Sequence, residues 1–259
     1  MKSAVYLVTI PLLAQQVVNL PSLAAKERAM GARYASEIRR QSEPLADPAV
    51  QDYVQRLGRE LGAPADYRFE VITGSDWTEP FALPGGFIFV PTRAFIDVRD
   101  AHEFAGTLAH AIAHATLRHG IRTANREQIT NVASIPLVFM GGWTGAHADS
   151  RHTQVLVPAS LLESQRTNEL EADRYGLELA ARAGYDPAAF GRYVERTHPA
   201  NSKHSPLPER GMRIAAIREA ARSLPVARVV VSREFESIQE RVRSLVQRQR
   251  RRAAPTLHR

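Results

Sequence analysis

No cysteine occurs in the 259 residues. That absence excludes disulfides, cysteine-ligated zinc and iron–sulfur clusters. Long apolar runs are also missing: Ala4–Ala14 is apolar but too short to span a bilayer. The formal charge of +7 is spread along the chain, apart from Arg248, Arg250, Arg251 and Arg252. No aromatic side chains interleave with that cluster and no nucleic-acid motif accompanies it, so nucleic acid is not an expected partner. Such an arginine-rich end reads as solvated, with anionic lipid as the alternative contact.

What is present is ordinary globular composition, 44% hydrophobic and 24% charged. At the N-terminus, Lys2 precedes the apolar run, then come Gln15 and Gln16, and Ser22-Leu23-Ala24 puts small residues at −3 and −1 of a cleavage site. This is the layout of a secretory signal peptide over residues 1–24, and it implies a protein exported to the bacterial envelope, periplasmic or extracellular. A buried N-terminal helix is the competing reading.

Helical patterns are expected over Ala25–Ser42, Pro48–Leu61, Ala101–His119, Ala159–Ala183, Arg210–Leu224 and Glu234–Gln249, with a further helix after Asp186-Pro187. Asp47 suits an N-cap and Pro48 the first helical position. Tyr67–Ile72 alternates as a half-buried strand does, and Phe81–Val90 reads as two short strands about a Pro-Gly-Gly turn. Ala227–Val231 is a further candidate strand. Ile135–Gly142 is apolar and Trp143–Pro158 irregular, together longer than an ordinary connection. With no repeat and no second core, the fold expected is α+β and mainly α. One domain should cover residues 25–224, followed by a strand and helix extension with a basic tail over 225–259.

The stretch that carries chemistry is His110-Ala111-Ile112-Ala113-His114. Histidines at i and i+4 share a helix face, so both imidazoles can reach one Zn²⁺. Two such histidines can equally be hydrogen-bonded core residues. A third candidate ligand, Glu169, opens Glu169-Leu170-Glu171-Ala172-Asp173 near the start of the second strong helix. Asp173, one turn on, could hydrogen-bond a ligand histidine; a solvated acidic face is the alternative. In the H-E-x-x-H pattern the second residue is the general base, and here it is Ala111. Glu103 shares the histidine face but lies two turns back, roughly 10 Å by helix rise. Glu171 points about 200° round the helix from Glu169. Neither is a convincing substitute.

Four blocks in order, Phe81–Gly86, Leu108–His114, Leu117-Arg118-His119-Gly120 and Glu169–Gly176, resemble metallopeptidase family 48. This is the gluzincin group of BepA-, HtpX- and CaaX-prenyl-protease-like proteins, and the layout is most similar to its compact exported bacterial members. The resemblance implies a zincin-type domain in which a histidine-bearing helix packs on a glutamate-bearing helix. It implies one Zn²⁺ per chain on His110, His114 and Glu169, with Asp173 supporting a ligand histidine. It also implies an edge strand, Gly86, Phe87, Ile88 and Phe89, that binds extended polypeptide by strand addition. A loop histidine approaching the metal would be His204, with His198 behind it. The activity implied is peptide-bond hydrolysis in envelope protein quality control, impaired because Ala111 cannot move a proton. The alternative is a pseudoprotease that binds extended or misfolded clients through that strand and the Ile135–Trp143 loop. A helical envelope protein without metal is the third reading.

Overall fold

The computed structural model describes residues 12–122, 159–198, 207–225 and 233–253. In chain order these form α1 (Leu12–Gln41), β1 (Glu43–Pro44), α2 (Pro48–Glu60), β2 (Arg68–Thr73), β3 (Phe81–Leu83), β4 (Phe87–Pro91), α3 (Thr92–Asp97), α4 (Ala101–Thr116), α5 (Ala159–Arg182), α6 (Ala188–Thr197), α7 (Arg210–Arg222) and α8 (Arg233–Ala253). The architecture is α+β and mainly helical.

Short acceptor side chains start the helices. Asp47 accepts from the Val50 amide at the start of α2, where Pro48 needs no donor of its own. Asp100 accepts from the His102 and Glu103 amides at the start of α4. Glu209 does the same for α7 through Gly211 and Met212. The helix expected from Ala25 begins earlier, at Leu12, and its backbone continues through Pro21.

The sheet has the order β1-β2-β4-β3. Its central pair, β2 and β4, is parallel, and both outer pairs are antiparallel. This corrects the expectation for Phe87–Val90, which is an interior strand and not an edge. Phe87, Ile88 and Phe89 pair with Arg68, Phe69 and Glu70 on one side and with Leu83, Ala82 and Phe81 on the other. The reason lies in its composition. Every residue of β4 is buried, so it is apolar on both faces, as a strand covered on both sides must be. Phe87 and Phe89 join Phe81, Leu83, Ile72 and Trp77 beneath α1, whereas Ile88 and Val90 face the main helical core. The turn from β3 to β4 uses Gly85 and Gly86 at φ of 75° and 82°, which side chains with a Cβ rarely adopt.

The main core joins the sheet to α2, α4, α5 and α6 through Leu57, Val71, Ile88, Phe104, Leu108, Leu177 and Phe190. The C-terminal helix belongs to the same core: Phe235, Ile238 and Val242 are buried in it. Gln239 of α8 donates to the Phe95 and Val98 carbonyls, satisfying acceptors at the end of α3. Among the described residues, no helix is long and apolar enough to cross a membrane. The expected strand Ala227–Val231 and the Ile135–Pro158 segment lie outside the described residues.

Helices α4 and α5 meet at Gly176. A Cβ there would stand 3.0 Å from both the Cα and the backbone N of His110 and 3.3 Å from the Ala109 carbonyl carbon. These are backbone atoms of a buried helix and cannot swing aside. Gly176→Ala should therefore lower the unfolding free energy by about 1–3 kcal/mol through overpacking. An unchanged urea midpoint would show that the two helices have more room than this contact implies.

Candidate metal centre

Helix α4 is buried along nearly its whole length, from Ala101 through Ala113. Its histidines are thus held among apolar neighbours, where an imidazole needs a partner. His110 Nε2 and His114 Nε2 lie 3.1 Å apart. Across from them α5 presents Glu169, with one carboxylate oxygen 3.5 Å from His110 Nε2 and the other 3.3 Å from His114 Nε2. The three residues offer ligand atoms all within 4.8 Å of one another, and no other such trio occurs among the described residues. Three vertices of a tetrahedron with zinc–ligand distances of 2.0–2.2 Å would be about 3.3–3.6 Å apart. The two histidine–glutamate separations, 3.5 and 3.3 Å, fall in that range, and the 3.1 Å between the two nitrogens lies just below it.

Protonation supports the fit. Asp173 Oδ1 lies 3.0 Å from His110 Nδ1, off the in-line direction but close enough to draw the ring proton there. That leaves the Nε2 lone pair turned toward His114 and Glu169. Glu169 Oε2 is buried with no donor in line, although the Arg213 guanidinium stands 3.3 Å away. With both rings neutral and their hydrogens on Nδ1, three lone-pair groups converge here, which is the arrangement a cation satisfies. Histidine and carboxylate with no cysteine match zinc's nitrogen and oxygen preferences.

Without a metal, a proton takes part of this role. Burial favours neutral His110, but Asp173 and Glu169 outweigh it and hold the ring at about 9. Burial lowers His114, only partly offset by Glu169. Glu169 stays well below the usual carboxylate range despite burial, because the two histidines favour its ionised form. Asp173 is also lowered against burial, chiefly by Arg213, which it binds through both oxygens at 2.7 and 2.8 Å.

A further layer was not legible from the sequence. His198, expected in a loop, is buried at the end of α6, its Nε2 2.7 Å from Glu79 and its Nδ1 3.3 Å from Arg213. Arg213 of α7 is 2% exposed and ties Asp173, Glu169 and His198 into one cluster. Only spacing along a known helix points from Asp173 to an acid–base pair; nothing local marks Glu79 or Arg213. Two placements hold as expected. Glu103 is committed to the Arg99 amide and Arg196, and Glu171 faces away from Glu169, toward His119 and Arg122. His204 lies outside the described residues. Ala111 is buried on α4 beside His110. Gly86–Phe89 sit in the interior strand and its turn, so their backbone is already paired by β2 and β3.

Burial pushes Glu79 up, but His198 and then Arg213 outweigh it and hold its carboxyl below the ordinary 4.5. A depressed carboxylate contributes stability above its unfolded value and loses it as pH falls through the folded one. Glu79→Gln should cost about 3 kcal/mol at pH 7 by leaving buried partners uncompensated, and clearly less at pH 4. Urea unfolding at both pH values reads this; an equal loss at both would show that the Glu79 charge is not what stabilises the pair.

Comparison with known proteins bears on this cluster. Residues 44–221 match the family model described as Peptidase family M48. The chain is 28% identical over 239 residues to a putative beta-barrel assembly-enhancing protease of Vibrio cholerae, covering 84% of this chain and 48% of that protein. It is 27% identical over 189 residues to the beta-barrel assembly-enhancing protease of Yersinia pestis, covering 66% and 37%. A mitochondrial metalloendopeptidase OMA1 of Bos taurus is 34% identical over 139 residues, covering 50% and 26%. The chain thus spans about half or less of these relatives' lengths. The family match takes in well over half the chain and contains His110, His114, Glu169, Asp173 and Arg213; the chain belongs to peptidase family M48.

Proposed function

We propose that this chain is a zinc metalloendopeptidase scaffold that holds one Zn²⁺ on His110, His114 and Glu169 and engages extended polypeptide, with turnover strongly reduced by Ala111. The observation that carries the reading is the convergence of the two Nε2 atoms and the Glu169 carboxylate within 3.1–3.5 Å of one another. When bound, the ion supplies Lewis acidity toward a scissile carbonyl and its attacking water. The protein's own residues do the rest. Asp173 orients His110, Arg213 holds Asp173 and lies against Glu169, and Gly176 lets α5 approach α4 closely enough for this set to meet.

Proton transfer is the missing part. A methyl group at position 111 neither takes a proton from water nor delivers one to a leaving amine. Loss of a positioned acid–base group costs about 10²–10⁴ in rate. Glu79 does not replace it, since its carboxylate is bound to His198.

For polypeptide, β3 is the better platform than β4. It is the outer strand on that side of the sheet, and it packs against α4. An extended substrate or client could pair with it by strand addition. The names of the relatives in Vibrio cholerae and Yersinia pestis, together with the leader-like N-terminus, support an envelope protein acting in protein quality control. Ala111 also favours a second reading, a pseudoprotease that binds clients without cleaving them.

Ala111→Glu separates the two. The protease reading expects both forms to take up one zinc per chain and the variant to hydrolyse casein about 10²–10⁴-fold faster. If the variant loads zinc and cleaves nothing, the binding reading stands in its place. If neither form binds zinc, both readings fall.

A further inference from the structure

We infer that His119, anchored by Glu171 and Arg122, is a positioning residue for His114, fixing which ring nitrogen that histidine offers at the centre. The inference rests on the metal-site reading above and assigns roles to residues that reading leaves idle.

The backbone builds the contact deliberately. Helix α4 ends at Thr116, the Leu117 amide closes on the Ala113 carbonyl, and the Arg118 amide on that of Ala115. Arg118 then takes φ of 56°, the only non-glycine at positive φ among the described residues. A left-handed arginine is unfavourable relative to glycine. The turn it makes brings the chain back, so that His119 lies against the helix it has just left. His119 Nδ1 is 3.0 Å from His114 Nδ1, and the ring is 2% exposed. Its other nitrogen is 3.2 Å from Glu171 Oε2, which also accepts from Arg122 at 2.7 Å.

The donor and acceptor directions along this chain admit one consistent assignment. Glu171 Oε2 already accepts from the Arg122 guanidinium, so it faces His119 as an acceptor. His119 Nε2 must then carry the hydrogen. A neutral imidazole carries one ring hydrogen, so with Nε2 donating to Glu171 its Nδ1 presents a lone pair to His114. That lone pair accepts from His114, whose proton is therefore on Nδ1 and whose Nε2 lone pair points at His110 and Glu169. Asp173 does this for His110 directly. Thus α5 sets both ligand histidines from successive acidic positions: Asp173 by contact, Glu171 through an intervening imidazole. This also accounts for Glu171 pointing away from Glu169.

Zinc affinity measured by competition with a chelating indicator tests the inference without reference to catalysis. Partners that orient a ligand histidine are worth about 10–100-fold in metal affinity. His119→Phe should weaken zinc by about that factor. His119→Asn, whose side-chain oxygen can occupy the place of Nδ1, should recover most of it. A merely space-filling role predicts the opposite order, with the aromatic ring better tolerated than the amide. Glu171→Ala changes a half-exposed residue outside the core, and should weaken zinc in the same direction by a smaller factor. Wild-type affinity in both His119→Phe and Glu171→Ala overturns the inference, as does an Asn variant no better than Phe. Absence of zinc binding by the unaltered chain would instead overturn the metal-site reading itself, and this inference with it.

Discussion

Three buried carboxylates, Glu79, Glu169 and Asp173, surround one buried guanidinium, that of Arg213, which meets Glu169 and Asp173 directly and Glu79 through His198. Uncompensated charge of this kind is among the most costly things a protein interior can hold. With neutral histidines, the charge balance within this group is met by one divalent cation. With no metal, the protonated His110 meets part of it. The rest of the architecture serves this constraint: α5 must carry two of the acids against α4, α7 must deliver the guanidinium, and the chain between β2 and β3 must bring Glu79 to His198. The close crossing at Gly176 is the mechanical condition for all of it.

Much of this was readable from spacing. His110 and His114 fall one turn apart on an apolar helix, and Glu169 and Asp173 one turn apart on another, because helical period alone fixes those faces. Aspartates before Pro48 and Ala101 announce helix starts for equally local reasons. Non-local pairing was less legible. Nothing in Phe81–Val90 states which strand lies outermost, since strand order is decided by what packs on each side. In hindsight the continuous Phe87-Ile88-Phe89-Val90 run carried the clue, as an edge strand exposed on one face would alternate. Arg213, Glu79 and His198 meet from three elements far apart in sequence, and their chemistry exists only once those elements are folded together. His119 illustrates the same limit from the other side, adjacent in sequence but placed by one unusual backbone angle at Arg118.

The structure and Ala111 pull the function in different directions. Everything that holds and orients a metal is present and mutually supported. The group that would move the proton is not, and the nearby carboxylates are each committed elsewhere: Glu103 to Arg196, Glu171 to His119 and Arg122, Glu79 to His198. On the function proposed above, a scaffold in this condition would bind metal and extended polypeptide while losing most of the rate. Membership of peptidase family M48 describes its ancestry and architecture, and position 111 describes what is left of the chemistry.

Diffraction from crystals of the zinc-loaded protein, recorded on both sides of the zinc absorption edge, tests the central claim most directly. The account predicts one anomalous peak per chain, about 2.0–2.2 Å from His110 Nε2, His114 Nε2 and a Glu169 oxygen. No peak at that position, or a peak held by other residues, would contradict it.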